Sequence, residues 1–125
     1  MTPLNSPSAI GATDPDFAPF GYSARELGSL AGRDLVAKER QALARWQAEA
    51  AASHPWPVLE DAIRAAREQT LHRAQQATIK QPAAYAIALL PEALAASAAH
   101  HASNEARAKI GLQTTRYEWT PEADA

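Results

Sequence analysis

The chain contains no cysteine, which excludes disulfides, thiolate catalysis and cysteine-ligated zinc. Large aliphatic side chains are also scarce. Leu, Ile, Val and Phe together fall below the share of about a fifth carried by ordinary globular domains, and much of the 46% hydrophobic content is alanine. Alanine packs closely but removes little apolar area from water. Burial and chain entropy therefore come close to balancing in a single domain of 125 residues. Such a chain is expected to gain stability from a protein partner or from another copy of itself in a homo-oligomer.

Charge of one sign is missing too. The formal net charge of −2 supplies no basic field for nucleic acid, so DNA or RNA is not an expected partner. The opening residues, MTPLNSPS, lack the basic start and apolar run of a signal peptide. The longest low-charge run, Gln81–Ser103, is mostly alanine and is interrupted by Pro91, Glu92, His100 and His101, so no membrane span is expected. The expected location is the cytoplasm or the inside of a viral particle.

What the chain does have is one concentrated apolar stretch, Lys80–Leu94 (KQPAAYAIALLPEAL), where Tyr85, Ile87, Leu89, Leu90 and Leu94 crowd together with almost no charge between them. A helix apolar on every side has to be enclosed. The flanking sequence reads as helices with one-sided stripes that could enclose it. Ser23-Ala24-Arg25-Glu26 has the S-x-x-E spacing of a capping box, predicting a helix from Ser23, with Gly28 and Gly32 weakening its first turns or marking a break before a stronger run from Arg33 to about Ala52. His54-Pro55-Trp56-Pro57 stops it, and Pro57 suits the first turn of a second helix running to about Ile79. The short connection predicts an antiparallel hairpin. Pro82 opens a third helix, Pro91 kinks it or starts a fourth, and Gly111 after Ile110 provides a C-terminal cap.

The ends read differently. Residues 1–22 are rich in proline (Pro3, Pro7, Pro15, Pro19) without helical or strand periodicity and are expected to form an extended arm. Residues 112–125 shift to threonine and aromatics and form a second extended, strand-like arm. Between them, residues 23–111 make the helical domain. Aromatic anchors often dominate interfaces, so Phe17, Phe20, Tyr22, Tyr117 and Trp119 are the candidate partner-binding residues. The competing expectation is that they close over the ends of the chain's own bundle.

No catalytic constellation emerges. Ser23, Ser29, Ser53, Ser97 and Ser103 lack a nucleophile-elbow pattern, and no glycine-rich phosphate loop is present. Glu68 with His72, and His100-His101 beside Glu105, place carboxylate and imidazole four apart on one helix face. The bundle metal sites instead use Glu-x-x-His with further glutamates, so no metal or other cofactor is expected. The basic residues Arg64, Arg67, Arg73 and Lys80 are largely offset by Glu60, Asp61 and Glu68.

The order Trp46, then Val58-Leu59-Glu60-Asp61-Ala62-Ile63, then Pro82-Ala83-Ala84-Tyr85 and Leu89-Leu90 resembles helical modules of plasmid and phage replication or helicase-loading proteins. It covers about a third of the chain, without the winged-helix domain or basic tail of those modules. The resemblance implies a replication accessory protein that contacts DNA or a helicase. The leading expectation is an all-α fold, a small bundle of three to four helices with extended arms. Its expected role is a non-catalytic structural or adaptor subunit of a larger assembly, such as a phage particle or a bacterial complex.

Overall fold

The computed structural model of the chain describes residues 18–121; Phe17 lies outside them. The fold is all-α, a small bundle of four described helices: α1 (Ala18–Gly28), α2 (Ala37–Ala51), α3 (Trp56–Ala74) and α4 (Pro82–Lys109). No strand occurs among the described residues.

Helix α1 begins at Ala18, ahead of the expected start at Ser23, so residues 18–22 are helical rather than part of an arm. Pro19 falls in the first turn, where a missing N–H leaves no helical acceptor unpaired. Ser23 is not a cap. It is fully buried, with Oγ 2.9 Å from Pro19 O and 2.8 Å from Gln47 Oε1 on α2.

The break allowed at Gly28 and Gly32 is present, and it divides the first helical stretch into α1 and α2. After Gly28 the chain closes a Schellman motif on Gly32 (φ 69°): Arg33 N donates to Gly28 O (3.3 Å) and Gly32 N to Ser29 O (3.3 Å). A Cβ on Gly28 would lie 2.7 Å from Arg33 O, so this close approach needs glycine. The reciprocal end of a capping box appears at α2 instead. Glu39 Oε1 accepts from Val36 N (3.0 Å), and its carboxylate takes a forked pair of bonds from Arg33 Nη1 (2.9 Å) and Nη2 (3.1 Å). The bonds from Arg33 hold the Glu39 carboxyl below its ordinary range, against the opposing effect of burial; the Val36 N–H adds to the lowering.

Pro55 and Pro57 make the α2–α3 junction as expected, with Pro57 in the first turn of α3. Helix α3 stops at Ala74, short of Ile79, and the intervening Ala77 and Thr78 are exposed, with no core contact to extend the helix. Helix α4 runs for 28 residues straight through Pro91. Pro91 is exposed, so water can replace the donor it lacks. A second Schellman motif ends α4 at Gly111 (φ 80°), with Leu112 N donating to Arg107 O (2.9 Å) and Gly111 N to Ala108 O (3.2 Å).

Helices α3 and α4 form the principal pair, and α1 and α2 pack across it. Phe20, Leu27, Leu43, Leu59, Ile63 and Leu90 are the large side chains sealed in the core, separated by small ones such as Ala62, Ala66, Ala83 and Ala86. Close packing between α3 and α4 is stitched by Ser97 Oγ, which donates to Val58 O at 2.8 Å.

The apolar stretch expected to be enclosed is enclosed on one side alone. Leu90 is fully buried, but Tyr85, Ile87, Leu89 and Leu94 are half-buried. Three short helices cannot wrap α4, which is nearly twice the length of α2.

Candidate functional site

The aromatic candidates fall into distinct settings. Phe20 is 1% exposed, a core residue with the Arg40 guanidinium 5.3 Å from its ring centroid. Tyr22 is half-buried and meets Trp56 edge-on at 5.8 Å. Burial raises its phenol pKa first of all, and the charges of Glu26 and Glu60 add to the effect. Tyr117 and Trp119 sit on the extended C-terminal segment, which turns back over α3 and α4. Tyr117 packs against His100 (5.4 Å between ring centroids) and Trp119 against His72 (5.5 Å). Of the described candidates, Phe20 and Tyr22 share α1, and Tyr117 and Trp119 share the C-terminal segment.

Side chains of α3 and α4, not a sheet ladder, hold that segment. Asn104 makes a two-way clasp with Thr115, its Nδ2 donating to Thr115 O (2.5 Å) and its Oδ1 accepting from Thr115 N (3.1 Å). Arg107 Nε donates to Gln113 O (2.8 Å), and Arg64 Nη2 to Tyr117 O (3.1 Å). The Asn104–Thr115 clasp has no signature in the sequence, because an asparagine on an exposed helix face is common.

Beneath the segment, Asp61 links two partners: Oδ1 is 2.6 Å from Arg64 Nη2 and Oδ2 is 2.7 Å from His101 Nε2. Tyr117 lies close by, its pKa raised by burial and further by the Asp61 charge, with Arg64 opposing. A carboxylate–imidazole pair can orient a general base, but a nucleophile must then face the ring. Ser97, one turn earlier on α4, spends its hydroxyl on Val58 O, and no other hydroxyl bonds His101 among the described residues. His100 turns away to Thr115 O (2.8 Å), and the two imidazole centroids stand 6.4 Å apart. Glu68 lies near Arg67 (3.7 Å), while His72 contacts Gln76 and Trp119. Among the described residues no group of three or more potential metal ligands converges.

The other notable surface is a seam between α2 and α4. One groove of about 440 Å³ is lined by Arg33, Val36, Lys38, Glu39 and Ala42 from the α2 side and by Gln81, Ala84 and Ile87 from the α4 side. Further along, about 310 Å³ opens between Trp46, Glu49, Ala50, Ser53 and His54 on one side and Pro91 and Leu94 on the other. Residue numbers rise together on both walls, so α2 and α4 lie side by side and parallel along the seam. Ala42, Ala88 and Pro91 are exposed, and Trp46, Ile87 and Leu94 half-buried. Trp46 Nε1 is shut off from solvent and has no acceptor among the described residues. Buried donors usually find partners, so the indole marks a place where this surface is not fully satisfied. Helical periodicity spread these residues over several faces, which is why sequence reasoning missed the seam.

The fold and these surfaces define a small all-α bundle with one apolar face left open. No protein family, curated protein or solved structure matches the chain.

Proposed function

We propose that the chain is a non-catalytic structural or adaptor subunit of a larger protein assembly, such as a viral particle or bacterial complex, which docks through the α2/α4 seam. One observation carries this reading: α4 is the most apolar of the described helices, yet 28% of its apolar 18-residue window is buried. A monomer that leaves such a surface uncovered gives up transfer energy that a partner can recover, at roughly 25 cal/mol per Å² covered. The same helix is long and apolar enough to cross a membrane by length and composition. A protein partner fits the seam better, since Lys38, Glu39 and Glu49 line its grooves and hydrocarbon accepts such charges poorly. A DNA-contacting role has less support, because Arg64 is occupied by Asp61 and Tyr117 O, and Arg67 lies within 4 Å of Glu26 and Glu68 (3.8 and 3.7 Å).

The test is the native mass of a tagged chain in a lysate of its source. It is expected to migrate well above the free 13.4 kDa. The double variant Ala42→Glu with Ile87→Glu is expected to migrate at the free mass while keeping its helical circular dichroism. Migration of the unaltered chain at its free mass would overturn the proposal.

A further inference from the structure

We infer that the α3/α4 face beneath the C-terminal segment is a binding site for an extended peptide of a partner protein, with residues 113–119 as its occupant in the free chain. The site lies apart from the α2/α4 seam and does not depend on the seam being a docking surface. What the two helices take hold of is main chain. Arg107 Nε donates to Gln113 O (2.8 Å), Asn104 Nδ2 and His100 Nε2 both donate to Thr115 O (2.5 and 2.8 Å), and Arg64 Nη2 donates to Tyr117 O (3.1 Å). Residues 113, 115 and 117 are alternate, so these carbonyls belong to one edge of an extended strand. Thr115 N donates to Asn104 Oδ1 on the same edge (3.1 Å). The side-chain amide thus makes with Thr115 the two-way pair that a neighbouring strand would make. His100, Asn104 and Arg107 fall on one stripe of α4, which offers side-chain groups where strand addition elsewhere uses a sheet edge.

A site that reads main chain is indifferent to most of the sequence it holds. Thr114, Arg116, Glu118 and Thr120 are exposed. Selectivity rests on Tyr117 and Trp119, half-buried against His100 and His72, and on the N–H of Thr115, which a proline would lack. The ligand that fits is therefore an extended segment with aromatic residues at two alternate positions and no proline two residues before the first. The chain's own segment leaves its groove partly empty. A pocket of about 240 Å³ stays open between residues 116–119 and Asp61, Arg64, Ala65 and Glu68 of α3. Open space forfeits contacts that a better-filling ligand gains.

Fluorescence anisotropy of a fluorescein-labelled peptide of residues 113–120 tests this on the full chain. Tyr117→Ala with Trp119→Ala weakens the chain's own occupant. That variant is expected to bind the peptide about tenfold more tightly than the unaltered chain, whose site is already taken. Adding Asn104→Ala is expected to weaken binding about tenfold, and a peptide carrying Thr115→Pro is expected not to bind. A second measurement needs no altered protein. The unlabelled peptide in excess, with Arg116→Gln so that trypsin spares it, is expected to speed cleavage of the unaltered chain after Arg116 several-fold by displacing its segment. The same peptide with Thr115→Pro is expected to leave that rate unchanged. Binding or faster cleavage that the proline abolishes supports the site. No response in either measurement, or an equal response to both peptides, would overturn the inference while leaving the assembly role of the seam standing.

Discussion

The buried contact between Ser23 and Gln47 offers a sharp test of how this core is held. Ser23 is 0% exposed and Gln47 1%, and their side-chain oxygens are 2.8 Å apart. A hydroxyl has one proton to give, and Ser23 Oγ is also 2.9 Å from Pro19 O. Both contacts are satisfied together when the Gln47 amide nitrogen faces Ser23 and the hydroxyl donates to Pro19. Ser23→Ala removes the partner of a buried amide, which is expected to cost about 1–3 kcal/mol. Gln47→Leu exchanges the amide for an apolar side chain of similar size and leaves Ser23 bonded to Pro19 O. Its cost should stay below about 1.5 kcal/mol. In the double variant no polar group is stranded, so Ser23→Ala should cost much less in the Gln47→Leu background, with a coupling of about 1–2 kcal/mol. Urea melts followed by fluorescence of Trp46, Trp56 and Trp119 provide all four corners of the cycle. Additivity to within about 0.5 kcal/mol would refute the reasoning and show that water reaches the pair.

Leu90→Ala, at a fully buried position on α4, should cost about 2–5 kcal/mol in the same melts; a loss under about 0.5 would place the centre of the core elsewhere. Glu39 has a folded-state carboxyl pKa lowered chiefly by Arg33, so its stabilisation is complete above the unfolded carboxylate range, near pH 4.3, and is lost as pH falls through the folded value. Glu39→Gln should therefore flatten the acid limb of stability below about pH 5, and an unchanged limb would count against the Arg33 fork. Asn104→Ala removes both bonds to Thr115 and should speed tryptic cleavage after Arg116 several-fold, with the thermal midpoint shifted by no more than a few degrees; equal cleavage rates would mean that the clasp does not hold the segment.

The proline and glycine positions made most of the fold legible. Pro55, Pro57, Pro82 and Gly111 act through local backbone geometry, and each marks a helix end where expected. Errors arose where long-range contacts set the outcome. Ser23-Ala24-Arg25-Glu26 carries a capping pattern, but burial against Gln47 drew Ser23 into the helix interior. Gly28 left open whether the helix was weakened or broken. The approach of Arg33 O to its Cα turns it into a break. The apolar character of Lys80–Leu94 was plain, whereas which of its faces the other helices could reach depended on their lengths. Among the aromatics, Phe20 became core and Tyr117 and Trp119 found histidines of the same chain, pairings that no spacing rule encodes.

The clasp on the C-terminal segment has a consequence for how the molecule opens. Among residues 113–121, Thr115 is the one whose backbone N–H has an acceptor among the described residues, and that acceptor is a side-chain amide on a helix face. Each hydrogen bond holding the segment is individually modest, about 1 kcal/mol, and Tyr117 and Trp119 add half-buried packing at the margin of the core. Because these contacts lie at the margin and leave the sealed core side chains untouched, detachment of the segment is expected to precede melting of the bundle, an opening below the global one in free energy. Hydrogen exchange would read this as a ladder of rates: fast along the segment, slower at Thr115, slowest at the amides of α3 and α4. The chain then has two thermodynamic units of very unequal depth, and signals or proteases can act on the shallow one while the deep one stays folded.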